Sequence, residues 1–116
     1  MKKIIDLEEK YTYKVEWSEE DQCFIVRCLE FPSLGTHGKT REKAISEMLK
    51  VVQETIKWMK EENEEIPLPF SMKKYSGKLT LRLPPEIHKM VEINAILEGI
   101  SINRYILSSL TKNAYK

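Results

Sequence analysis

The stretch GKLTLRLPPE, residues 77–86, carries the side chains whose types and spacing most clearly suit a chemical task, because Lys78, Thr80 and Arg82 alternate with Leu79, Leu81 and Leu83. In a strand, that period places the three polar groups on one face and the three leucines on the other. Lysine and arginine donate to guanine in the major groove of B-DNA, and threonine meets a base edge or a thymine methyl. A two-stranded ribbon fits that groove, so a paired strand of this pattern is built to read sequence. A lone strand from Gly77 to Leu83 is unstable, and no other stretch near it has strand character. The expected neighbour is the same strand of a second copy. Antiparallel pairing then gathers Leu79, Leu81 and Leu83 of both chains into a dimer core and leaves both polar sets exposed. The plainer alternative is an edge strand whose polar side only meets water. Against it stand the stop at Pro84 and Pro85, the junction from Gly99 to Ser101 and the local basic charge.

Other reactive residue types are present without a constellation. Glu16, Glu30, Glu42 and Asp21 are the carboxylates of a possible metal nuclease, but only Glu16 falls at the centre of a strand, and such a site needs several converging on one point. They are expected to be solvated. His37 has no nearby cysteine or obvious carboxylate to form an acid-base or nucleophilic set, and His88 falls in the first turn of a helix as a surface or packing residue. Cys23 and Cys28 point to opposite faces of a strand and are expected to be reduced. No CxxC pair or His-rich tract suggests a metal, so no catalytic residue, metal or cofactor is expected.

These residues need elements to position them. Residues 1–70 carry 11 Lys and Arg against 15 Asp and Glu, whereas residues 71–116 carry 8 against 3. Halves of opposite sign suggest partners of opposite character, and the basic half is the one able to approach phosphate. A proline-rich break, EEIPLPFSMKKYSGK at residues 64–78, separates them as a hinge. The expected organisation is a domain over 1–70, a linker over 71–76 and a second domain over 77–116.

In the acidic half, YTYKVEWS (residues 11–18) and CFIVRCL (residues 23–29) read as a hairpin around the polar turn EEDQ, with a short third strand near Leu34–His37 ended by Gly38. Thr40 is the expected N-cap of a long helix with Glu42 and Glu47 near its positive end, and Ile45, Met48, Leu49, Val52, Ile56 and Met59 form its buried stripe. IPLPF, residues 66–70, is a candidate edge strand. The fold class is therefore α+β, ordered β-β-β-α-β, followed by a strand and two helices. In the basic half, Pro84 and Pro85 open the first helix, Gly99 ends it, and Ser101 caps INRYILSSLTKNAY. Free N–H groups at that second helix start favour an anion.

The run CFIVRCLEFPSLGTHGKTREKAISEMLKVVQETIKWMKEENEEIPLPF, with THG at Thr36–Gly38 and REKA at Arg41–Ala44, resembles the HicB family of antitoxins over roughly residues 11–70. The resemblance implies a degenerate ribonuclease-H-like domain without nuclease activity. LRLPPEIHK and GISINRYI resemble the ribbon-helix-helix family of DNA-binding proteins, over residues 77–114. That resemblance implies base reading by Lys78, Thr80 and Arg82 and phosphate contact by Ser101, Ile102 and Asn103. Asn94 departs from it, standing where an apolar or aromatic residue is the norm. Together they imply a type II antitoxin that neutralises a HicA-like, mRNA-cleaving toxin and represses its own operon on double-stranded operator DNA. It would act as a homodimer through its C-terminal domain, with a tetramer left open. The toxin-contacting surface stays unknown. Lacking an 18-residue apolar run or a secretory leader, the chain is expected in the cytoplasm and not in a membrane. Two rivals remain at this level: a stand-alone repressor with a sensory N-terminal domain, and an active nuclease of the ribonuclease-H kind.

Overall fold

A computed structural model describes residues 6–114. The chain divides into two compact units, Met1–Tyr75 and Ser76–Lys116.

In the first unit, alternation produces the sheet. Strands β1 (Tyr13–Ser18), β2 (Cys23–Cys28) and β3 (Phe31–Gly38) pair antiparallel in that order. Val15 lies opposite Val26 and Trp17 opposite Phe24, so the aromatic and β-branched residues share one face, as their period of two requires. The turn between β1 and β2 places Gln22 at φ 54, in the left-handed region, where its amide donates to the Glu19 carbonyl at 2.7 Å. Strand β3 begins three residues earlier than expected and takes in Pro32. The register shift between Arg27 and Cys28 explains this, because a bulge at an edge strand tolerates a residue without a donor.

Helix α1 (Arg41–Glu61) covers that face. Thr40 caps it as expected, its Oγ1 accepting the Lys43 N–H at 3.1 Å. The helix buries Ala44, Met48, Val52 and Ile56 against Tyr11, Val26, Cys28 and Phe31, with Ile45 and Met59 packed at the margin. Each fully buried large aliphatic side chain in such a stripe contributes about 1.5–3 kcal/mol. Gly38 is demanded by this packing: a Cβ there would lie 2.7 Å from the Ala44 backbone nitrogen. The helix ends with Asn63 at φ 56 and the Glu64 N–H bonded to the Met59 carbonyl at 2.8 Å, a left-handed stop that asparagine tolerates.

Residues 66–70 do not form the expected fourth strand; the chain there is irregular and turns in a short 3-10 segment, Phe70–Met72. Pro67 and Pro69 supply no donors for a ladder, and the polar groups beside them are taken by side chains instead. Tyr11 Oη donates to the Pro67 carbonyl at 2.7 Å, and Phe70 N–H donates to Glu30 Oε2 at 3.1 Å.

The second unit holds α2 (Pro85–Glu98) and α3 (Ile102–Ala114). Proline opens α2, and Gly99 closes it at φ 70, with Ile100 N–H bonded to the Ala95 carbonyl at 3.0 Å. Ser101 Oγ accepts the Arg104 N–H at 3.0 Å and so starts α3. Tyr115, placed in this helix by periodicity, lies outside the described residues. Residues 77–83, expected as a strand, carry no ladder within the single chain, because a ladder needs a neighbour and none of the described residues supplies one.

Candidate functional site

The segment from Lys78 to Leu83 is the region where the sequence places chemistry. Lys78, Thr80 and Arg82 are all exposed. The leucines have a different environment: Leu79, Leu81 and Leu83 line a cleft of about 230 Å³ together with His88, Ile102 and Ile106. Asn103 completes that lining. The apolar side of the segment is thus turned toward the first turns of α2 and α3. The cleft covers the leucines unevenly, since Leu79 stays 85% exposed and Leu81 53%.

The helices beside it are similarly underfilled. Ala95 is the one residue of α2 that is fully buried, while Met90, Ile96, Leu97 and Leu107 stand in solvent. Isoleucine and leucine side chains left out in this number make a large apolar surface for so small a unit, and such surfaces mark interaction sites. Asn94 donates from Nδ2 to Tyr105 Oη at 3.2 Å, joining α2 to α3 by a polar contact.

Ser101, Ile102 and Asn103 sit at the start of α3. Because Ser101 Oγ already takes the Arg104 N–H, the N–H groups of Ile102 and Asn103 are the ones left at that end for an outside acceptor. His88, expected as a surface or packing residue, lines the leucine cleft from the first turn of α2.

In the first unit the candidate carboxylates do not converge. Glu16 pairs with Lys14 at 3.6 Å in the open, Asp21 lies in the hairpin turn, and Glu42 is exposed at the start of α1. Glu30, expected to be solvated, is instead buried. Its Oε1 accepts the Thr12 N–H at 2.9 Å and its Oε2 accepts Thr12 Oγ1 at 3.3 Å and Phe70 N–H at 3.1 Å. Burial by itself works to raise the Glu30 pKa, yet the backbone N–H donors of Thr12, Phe70 and Glu30 outweigh it, and the carboxyl is held below its ordinary value. The same surroundings push Tyr11 up to about 12, chiefly by burial and then by the nearby Cys28 and Glu30. Burial also raises the Cys28 thiol, and Cys23 and Cys28 are both free and buried. Among the described residues no three His, Cys, Asp or Glu side chains are grouped to hold a metal ion, and no helix is long and apolar enough to cross a membrane.

An exposed aromatic corner stands at the far end of the sheet. Trp17 packs edge-on against Phe24 at 5.1 Å, its Nε1 donates to Glu19 Oε2 at 2.7 Å, and the Arg41 guanidinium lies 5.2 Å from the Phe24 ring centre.

No curated protein and no solved structure matches the chain. A family model does match, from Trp58 in α1 to Leu110 in α3. It therefore overlaps the resemblance drawn on residues 11–70 only at its end, and spans the connection between units together with most of the second one. The matching model is that of the HicB family, at residues 58–110, and it supports a HicB-family protein.

Proposed function

We propose that this chain is the antitoxin of a toxin–antitoxin pair: its N-terminal unit, a degenerate ribonuclease-H-like domain, neutralises a HicA-like, mRNA-cleaving toxin, and its C-terminal unit, a ribbon-helix-helix dimer, represses its own operon. It is a binding protein of the cytoplasm and not an enzyme. The observation that carries the DNA-binding half is the two-sided segment at 78–83, with three leucines over the helix starts and Lys78, Thr80 and Arg82 in solvent. A second copy laid antiparallel on it covers Leu79 and Leu81 and presents six polar side chains as one face. The family match supports the antitoxin half. Dispersed carboxylates, with Glu30 committed to Thr12 and Phe70, speak against a nuclease centre.

The test has two arms. Co-expression with a HicA-like toxin should restore the growth that the toxin arrests and allow co-purification; the absence of both would remove the antitoxin half. In mobility-shift titrations on the upstream DNA, Arg82→Ala should cost about 1–3 kcal/mol on the preferred site and narrow its advantage over unrelated DNA. Equal loss on every sequence would assign Arg82 to phosphate and not to a base.

A further inference from the structure

The carboxylate of Glu30 and the phenol of Tyr11 have no part in the function proposed above, yet they are among the most constrained polar groups of the first unit. Glu30 is 9% exposed and Tyr11 6%, and both reach the same short stretch of chain after α1. Tyr11 Oη holds the carbonyl of Pro67, and Glu30 Oε2 holds the N–H of Phe70. Between those two bonds Pro69 is fully buried, whereas Leu68, Phe70 and Met72 keep their side chains in solvent. The stretch is thus fastened by its backbone and one proline. Leu68, Phe70 and Met72 contribute little to the hold, while Ile66 just before it packs on the core.

Each clasping residue is in turn fixed from behind. The Tyr11 ring meets Phe31 edge-on at 5.2 Å, and Glu30 is oriented by Thr12 N–H and Thr12 Oγ1, with Cys28 Sγ 3.7 Å from its Oε1. The clasp is part of the sheet's end, and the fastened stretch is an addition to it.

We infer that Tyr11 and Glu30 form a latch that sets the length of the connection to the C-terminal unit. With the latch closed, the free connection begins after the 3-10 segment Phe70–Met72 and comprises residues 73–76, which reach roughly 14 Å when extended. With the latch open, it begins after Ile66, whose side chain packs on the core, and comprises residues 67–76, roughly 34 Å. The effective concentration of one tethered unit at the other falls about as the −3/2 power of connection length, so opening lowers it by about threefold to fourfold. This consequence rests on the proposed function, since it matters where the first unit holds a partner and the second holds DNA; the latch itself does not.

The test uses the full chain and two mild variants. Tyr11→Phe keeps the ring against Phe31 and deletes only the donor to Pro67, and Glu30→Gln leaves one carbonyl acceptor where two oxygens served. Hydrogen exchange is followed at the Phe70 and Met72 amides and, as an internal reference, at amides of β2 and α1; chymotryptic cleavage after Phe70 gives a second reading. Each lost bond should raise exchange and cleavage at Pro67–Met72 by about tenfold, well beyond any rise at β2 and α1. Unchanged protection at Phe70 in both variants would overturn the latch. So would loss of protection there only in step with β2 and α1, because the stretch would then open only when the whole unit unfolds. Neither outcome bears on toxin or operator binding.

Discussion

Leu79→Ala is the perturbation that most directly questions the paired ribbon. Leu79 is 85% exposed in the single chain, so its truncation removes almost nothing from the folded monomer. In an antiparallel pair the same side chain enters the shared core. Burying a leucine side chain fully contributes about 1.5–3 kcal/mol, and the part still exposed in the monomer, less what alanine retains, is about 1–2 kcal/mol per chain. Two-fold symmetry counts it twice. The dimer should therefore weaken by about 2–4 kcal/mol, or between roughly 30-fold and 1,000-fold in dissociation constant. Sedimentation equilibrium of the full chain over a wide concentration range measures this, with far-UV circular dichroism confirming that the helices persist. Lys78→Ala, on the opposite face, serves as the control and should leave the constant nearly unchanged. A wild-type chain that stays monomeric at micromolar concentration, or a Leu79→Ala chain with the wild-type constant, would refute the reasoning.

Two further predictions concern the first unit, whose stability the tryptophans report, since both Trp17 and Trp58 lie in Met1–Tyr75. Gly38→Ala drives a methyl to 2.7 Å from the Ala44 nitrogen and should destabilise the unit by about 1–3 kcal/mol, while Gly35→Ala, whose Cβ meets nothing nearer than 3.8 Å, should leave the urea midpoint almost in place. Equal midpoints for the two variants by tryptophan fluorescence would show that the approach of α1 to β3 is not tight. The Glu30 carboxyl, lowered in the fold by its N–H donors, contributes stability that is complete above the ordinary carboxylate value of about 4.3 and is lost as pH falls through it toward the lowered folded value. Glu30→Gln should therefore be less stable at neutral pH and should flatten the acid limb of the unfolding profile; parallel acid limbs would place the controlling carboxyl elsewhere.

The legibility of this fold in its sequence follows from how local each signal is. Alternation in YTYKVEWS and CFIVRC marked the hairpin because side chains in a strand switch faces every residue whatever surrounds them. Thr40, Gly99 and Ser101 marked helix ends because a cap is satisfied within one turn of chain. The stripe through Met48, Val52 and Ile56 marked the buried side of α1 for the same reason of period. Where the reading went astray, long-range partners decided. Residues 66–70 look like an edge strand by composition, but Tyr11 and Glu30, distant in sequence, take the carbonyl of Pro67 and the N–H of Phe70. Glu30 looks like a surface carboxylate because nothing in its own neighbourhood reveals that three donors will converge on it.

The candidate site divides along the same line. Sequence alone determined that Lys78, Thr80 and Arg82 alternate with three leucines, an order that predicts opposite faces once the segment is extended and paired. Only the tertiary structure decided which surface the leucines meet, the first turns of α2 and α3 with His88 among them, and how incompletely one copy covers them. It alone decided, too, that the chain leaves the first unit from a fastened point at Phe70 and not from the end of α1. Burial and hydrogen bonding between distant residues depend on how the elements pack, and packing is a property of the whole unit that no local window of residues contains.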